Sequence, residues 1–189
     1  MKEILQLKVS LLHSKPLIWR QILVHKDISF FDLHQVIQIA MGWDNTHLFE
    51  FDLQGYRVGI VDEREKNMGY GSDQVIDSKT VKISDIVTAS REVFKYLYDF
   101  GDSWAHHIKV EKSMAPDKTL TYPLCLDGEM NCPPEDCGGI HFFYHCLEVL
   151  KDKKHPEYKF IAQQFDKKYN PDLFDRIKIN RELTRWSKE

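Results

Sequence analysis

An α+β fold is predicted, with a mostly antiparallel sheet, one early helix and C-terminal helices packed on it. Three observations point there. Stretches that alternate polar and apolar residues gather before residue 112; a helical apolar period occurs once early and again after residue 139; and 42% hydrophobic with 29% charged residues is the balance of a globular chain.

The elements follow in order. Leu5, Leu7, Val9 and Leu11 alternate with Gln6, Lys8 and Ser10, and Ile18 to Val24 repeats the pattern after a Lys15-Pro16 break, giving two half-buried strands, the second anchored by Trp19. Ser29 offers an N-cap with Asp32 in the first turn, and Leu33, Val36, Ile37, Ala40 and Met41 recur at helical spacing until Gly42 stops the helix. Leu48 to Leu53 and Tyr56 to Ile60 form a hairpin around Gln54-Gly55. Residues 61–79 are charged, Gly/Ser-containing and aperiodic, and read as a surface insertion. A short helix near Ser84 to Thr88 precedes a second, aromatic hairpin: Phe94, Tyr96, Tyr98 and Phe100 face inward on one arm, and Trp104, His106, Ile108 and Val110 on the other, beyond the Gly101-Asp102 turn. Residues 113–139 read as a loop rich in Cys, Pro and acids. Helical patterning starts at Ile140 with Phe143, Leu147 and Leu150 inward; Pro156 suits the first turn of another helix, and Asn170-Pro171-Asp172 starts a third. With no repeat and no flexible linker, residues 1–189 are expected to form a single domain.

Charge and composition exclude some classes. Lys+Arg 26 against Asp+Glu 29, a net charge of -3, lacks the basic excess of a nonspecific phosphate-backbone binder. No apolar run approaches the roughly 20 residues of a membrane span, and the start alternates instead of building a secretory signal, so a cytoplasmic protein without a membrane partner is expected. Cys125, Cys132, Cys137 and Cys146 are then reduced thiols.

Two segments can carry chemistry. In Tyr98 to Ile108, Asp99 and Asp102 flank a glycine turn while strand parity sends His106 inward beside Tyr98 and Trp104, a candidate ligand-binding face. A carboxylate there would fix the imidazole tautomer and make His106 a general base or metal ligand; alternatively, the aspartates cap the turn and His106 bonds to backbone. In the second segment, Cys125, Cys132 and Cys137 could hold zinc with a fourth ligand from His106, His141 or His145. Their gaps of six and four residues are not the Cys-x-x-Cys knuckle, and the alternative is a rigid loop in which Pro133-Pro134 stiffens the chain and Glu135-Asp136 faces water. His141 and His145 fall on a solvated helix face, Cys146 in the core, and the C-terminal cations are interleaved with acids. An Asp-Phe-Gly occurs without the other kinase motifs, and Gly-x-Ser-x-Gly, Walker, Gly-x-Gly-x-x-Gly and His-Glu-x-x-His patterns are missing from the sequence.

Four blocks together, Pro16-Leu17-Ile18-Trp19-Arg20, Asp32-Leu33-His34 with Met41-Gly42-Trp43 and His47-Leu48, Tyr98 through Trp104 with His106, and Cys132-Pro133-Pro134-Glu135-Asp136-Cys137-Gly138-Gly139, resemble the plasmid pRiA4b ORF-3-like family over nearly the whole chain. The resemblance implies an α+β domain and an association with mobile genetic elements, some members carrying a TnpR resolvase label. It carries over no catalytic residue. None of the nine histidines stands in a His-x-x-Arg element, and no basic helix-turn-helix is legible.

The leading expectation is a non-enzymatic interaction or regulatory domain that grips a protein, peptide or small ligand through the aromatic hairpin and the Cys/Pro/acid loop. The alternatives are a metal-dependent enzyme in which Asp99, Asp102, His106, Glu135 and Asp136 surround a cation, and a nucleic-acid-binding accessory protein. The recognition reading requires the two segments to meet in space.

Overall fold

The structure, a computed structural model, describes residues 3–53, 55–61, 75–87, 92–165 and 169–188. Its strands are β1 (Ile4–Leu11), β2 (Trp19–His25), β3 (Phe49–Leu53), β4 (Tyr56–Gly59), β5 (Val75–Asp77), β6 (Val93–Tyr98), β7 (Trp104–Met114) and β8 (Leu124–Glu129). Its helices are α1 (Phe30–Met41), α2 (Ile83–Ile86), α3 (Gly139–Lys151), α4 (Tyr158–Gln164) and α5 (Arg176–Trp186). The strands form one sheet in the order β5-β4-β3-β6-β7-β1-β2-β8, antiparallel at every junction except β4 with β5. The predicted α+β architecture is the observed one.

Strand alternation gives this sheet one dry face and one wet face. Leu7, Val9, Leu11, Ile22, Val24, Phe51, Tyr96, Tyr98, Trp104, Ile108 and Val110 are buried and share a core with Phe30, Leu33, Val36 and Ile37 of α1. On the other face the Glu111 carboxylate accepts hydrogen bonds from Gln6 and Gln21 at 2.7 and 2.6 Å, and the Lys8 ammonium sits 4.2 Å over the Trp19 ring. Trp19 is therefore on the outer face and not an anchor of the core.

Helix α1 begins and ends as its sequence dictates. The Ser29 hydroxyl accepts from the Asp32 N–H at 3.0 Å, and Gly42, at φ +88°, closes the last turn by donating its N–H to the Gln38 carbonyl.

Beyond Trp19, four more expectations need correction. Residues 113–139 are not all loop: β8 adds to the sheet edge with Cys125 opposite Ile22, because the free edge of β2 recruits a run too short to show its own alternation. The insertion ends in β5, which pairs in parallel with β4; residues 62–74 lie outside the described residues. The last helix starts at Arg176, where the Asp175 carboxylate accepts from the Lys178 N–H at 2.9 Å, while Asn170-Pro171-Asp172 forms a turn whose Pro171 carbonyl accepts from the Asn131 N–H. Phe100 is exposed, since Asp99 at φ +55° ends the β6 pleat one residue earlier.

Candidate functional site

Three stretches remote in sequence meet at one end of the sheet: residues 43–48 after α1, the β6–β7 turn at 99–103, and residues 132–138 leading into α3. Trp43 joins them. Its indole N–H donates to the Pro133 carbonyl at 2.9 Å, and its ring stacks on Tyr98 at 5.2 Å and lies 5.8 Å from Trp104. The turn and the α3 approach are tied directly as well. The Asp102 carboxylate accepts from the Gly138 N–H at 2.9 Å, and a Cβ on Gly139 would come within 2.7 Å of the Asp102 carbonyl oxygen, a contact only glycine permits.

On this scaffold the His47 Nε2 lies 3.0 Å from Asp136 Oδ1 and 3.8 Å from Asp99 Oδ2, and one ligand atom from each residue lies within 4.8 Å of the other two. The two carboxylates differ in setting. The Asp99 side chain is 10% exposed and its Oδ1 accepts from the Gly101 N–H at 2.9 Å, whereas Asp136 is 74% exposed at the rim. The Nε2 atom of His47 is shielded from solvent, and its approach to Asp136 falls outside hydrogen-bond geometry. A ring nitrogen facing two converging carboxylates is an arrangement that, with that nitrogen unprotonated, can chelate a cation.

Behind this trio, the Tyr98 hydroxyl donates to Glu135 Oε1 and accepts from the Thr46 N–H at 3.0 Å, while the Thr46 hydroxyl reaches Glu135 Oε2 at 3.3 Å. Burial, then the hydrogen bond and charge of Glu135, push the Tyr98 phenol up to about 12, so it stays a donor at neutral pH. A second polar chain holds the 43–48 loop to α1. His34 Nδ1 is 2.8 Å from the Tyr96 hydroxyl, which accepts from Gln38 at 2.9 Å, and His34 Nε2 is 2.6 Å from Asn45 Oδ1. With Gln38 donating to Tyr96, the consistent assignment has Tyr96 donating to Nδ1 and Nε2–H donating to Asn45. Burial lowers His34 to about 4, in keeping with a neutral ring stacked on Phe49.

The residues expected from sequence divide accordingly. Tyr98, Asp99, Asp102, Glu135 and Asp136 are brought together; Trp104 supports Trp43 from inside the core. His106 does not join them. It is 0% exposed, packs against Trp43 and Tyr96, and neither ring nitrogen has a hydrogen-bond partner. Burial pulls it down to about 3; the Tyr96 and Trp104 carbonyls favour the protonated form but stay outside hydrogen-bond geometry. The imidazole at the junction is His47 instead, supplied by a third stretch, and its only sequence signal is its place in the His47-Leu48 block.

Cys125, Cys132 and Cys137 do not assemble a zinc set with His106: among the described residues the one group of three or more metal-ligating side chains is His47, Asp99 and Asp136. All four cysteines are free and buried. Cys125 Sγ is 3.6 Å from the Asp127 carbonyl, and Cys132 Sγ is 3.5 Å from the Arg20 guanidinium and 3.1 Å from Met41 Sδ. Burial pushes Cys125 up to about 11 and, with the Asp102 and Cys146 charges, Cys137 up to about 12, the opposite of thiolate activation. His145 is paired with Glu157 at 3.1 Å on the solvated side of α3. On α5, Glu182 pairs with both Arg181 and Arg185, so its cations are interleaved with an acid as expected.

A one-faced, eight-stranded sheet whose loops gather a histidine and two aspartates at one end defines the class structurally. The sequence profile of the plasmid pRiA4b ORF-3-like protein family matches residues 3–178, and the chain belongs to that family. A relative, the uncharacterized protein y4hQ of Sinorhizobium fredii (strain NBRC 101917 / NGR234), is 38% identical over 153 residues, covering 80% of this chain and 75% of its own. The crystal structure of MM3350 from Methanosarcina mazei Go1, a protein of unknown function, superposes with a TM-score of 0.84 at 32% identity, covering 94% of this chain and 97% of that one. Among the described residues no helix is long and apolar enough to cross a membrane.

Proposed function

We propose that His47, Asp99 and Asp136 form a divalent-cation site and that the chain is a cation-dependent recognition domain, binding a protein, peptide or small ligand at the junction of the three loops. The observation that carries this reading is the convergence of three ligand atoms within 4.8 Å from three separate stretches. One imidazole nitrogen and two carboxylate oxygens form a borderline donor set that suits Mn2+, Fe2+ or Zn2+ better than Mg2+ or Ca2+, which prefer oxygen alone. Two carboxylates neutralise the ion, and the exposed side at Asp136 leaves coordination positions open to a ligand.

Binding is favoured over acid/base catalysis because the other candidate groups are already engaged. Asp102 holds Gly138, both Glu135 oxygens are bonded to Tyr98 and Thr46, and His106 is sealed from solvent. One contiguous core supports a single domain over 1–189, four free thiols suit a cytoplasmic setting, and we extend to this chain the mobile-element association that the resemblance implies.

Titration with Mn2+, followed by electron paramagnetic resonance of the free ion, tests the reading. One saturable site is expected, weakened at least about tenfold by His47→Ala or Asp99→Asn and unchanged by Cys137→Ser. Absence of saturable binding, or binding indifferent to His47, would sink it.

A further inference from the structure

We propose that a second site, a cavity between α3, α4 and the β1–β2 loop, binds short apolar peptides through their side chains and both free termini. The cavity has a volume of about 690 Å³, within the range of small-molecule sites, and none of the cation-site residues lines it. Phe143, Phe165 and Ile18 form its floor and are buried, while Leu147, Leu150 and Met130 line it only half buried.

Hydrogen bonds between elements fix the walls in place. The Lys15 N–H donates to the Tyr144 hydroxyl at 2.7 Å, the Asn131 N–H to the Pro171 carbonyl at 2.8 Å, and the Tyr169 hydroxyl to the Cys132 carbonyl at 2.9 Å. Each fixes a wall segment to a different element, so the concavity belongs to the folded framework and binding need not order it. Pre-organisation of that kind lowers the entropic cost of binding.

The charges identify the ligand class. Four charged side chains line the cavity, and Lys151 and Glu148 neutralise each other at 2.7 Å. Lys15 and Asp172 remain, with no ion pair to each other or to any described residue. An apolar floor with one cation and one anion at separate points of its rim complements an apolar body bearing a carboxylate and an ammonium. The volume exceeds that of a single amino acid, which leaves a di- or tripeptide.

Calorimetric titration with the tripeptide Leu-Phe-Leu tests this, beside its N-acetylated and C-amidated forms. Wild-type protein is expected to bind the free peptide at one site. Acetylation or Asp172→Asn, and amidation or Lys15→Gln, should each weaken binding about tenfold, and Ala162→Trp, which fills the cavity, should abolish it. Both charge variants lie on the surface and retain the fold, checked by circular dichroism and by unchanged Mn2+ binding. No binding of the free peptide, equal binding of the blocked forms, or binding that survives Ala162→Trp in a folded protein would each overturn the proposal.

Discussion

His47 Nε2 stands 3.0 Å from Asp136 Oδ1, although His47 precedes β3 and Asp136 follows β8. Trp43 ties the His47 loop to the 132–138 segment through Pro133, and Asp102 ties the turn that carries Asp99 to the same segment through Gly138. The two carboxylates beside His47 should contribute unequally. Asp99 is nearly buried and acts through less water than Asp136, so its charge interacts more strongly with a cation. Mn2+ affinity should fall further for Asp99→Asn than for Asp136→Asn; the reverse order would place the ion at the rim.

Gly139 and Gly42 both adopt positive φ, yet an added methyl should affect them differently. At Gly42 nothing lies within 4 Å of the new Cβ, so Gly42→Ala should cost about 1–2 kcal/mol from backbone strain alone. At Gly139 the methyl also meets the Asp102 carbonyl at 2.7 Å, so Gly139→Ala should cost more and also weaken Mn2+ binding by prying the turn from α3. Urea denaturation of the two variants checks the ranking.

Acid should unfold the protein partly through two histidines. Burial holds His34 at about 4 and His106 at about 3, against 6.5 when exposed. Above about pH 6.5 their contribution is fully present. Below it the unfolded chain takes up protons that the folded chain refuses, so stability falls as pH drops toward 4 and then 3, by on the order of several kcal/mol in all. His106→Phe removes one of these groups, and its stability between pH 7 and pH 4.5 should decline less steeply than that of wild type. Because neither nitrogen of His106 is bonded, the variant should lose little at neutral pH. Parallel pH profiles would refute the assignment.

Arg20 is 2% exposed and forms no ion pair with a described residue; its guanidinium donates to the carbonyls of Ala40, Trp19 and Glu129 and contacts Cys132. It thereby ties the end of α1 to the end of β8 just ahead of the 132–138 segment. Lysine cannot supply this fork, so Arg20→Lys should destabilise by about 3 kcal/mol or more, with carbonyls left unpaired in the core. A shift below about 1 kcal/mol in denaturant titration would mean the bonds contribute no more than a surface pair.

The thiols should be inert in the native state. With all four buried and burial raising each of them, a disulfide reagent such as dithionitrobenzoate should label native protein slowly and denatured protein at all four cysteines. Rapid native labelling of Cys132 or Cys137 would show that the 132–138 segment opens.

Sequence periodicity alone determined the buried positions of β1, the span of α1 and the inward parity of Trp104, His106, Ile108 and Val110, because strand and helix repeats are local properties of the chain. It also marked two of the three stretches of the junction, since Asp99, Asp102, Glu135 and Asp136 stand in turn-forming contexts. Local reasoning failed where a partner decides: β8 is a strand because β2 offers it an edge, and Trp19 faces out because the pairing sets its side of the sheet. Choosing His47 over His106 lay beyond the sequence for the same reason. Parity carries His106 inward, but which loops overlie the end of the sheet depends on contacts between distant segments, and only the packing of Trp43 and Asp102 brings His47 to the two aspartates while leaving His106 sealed beneath them.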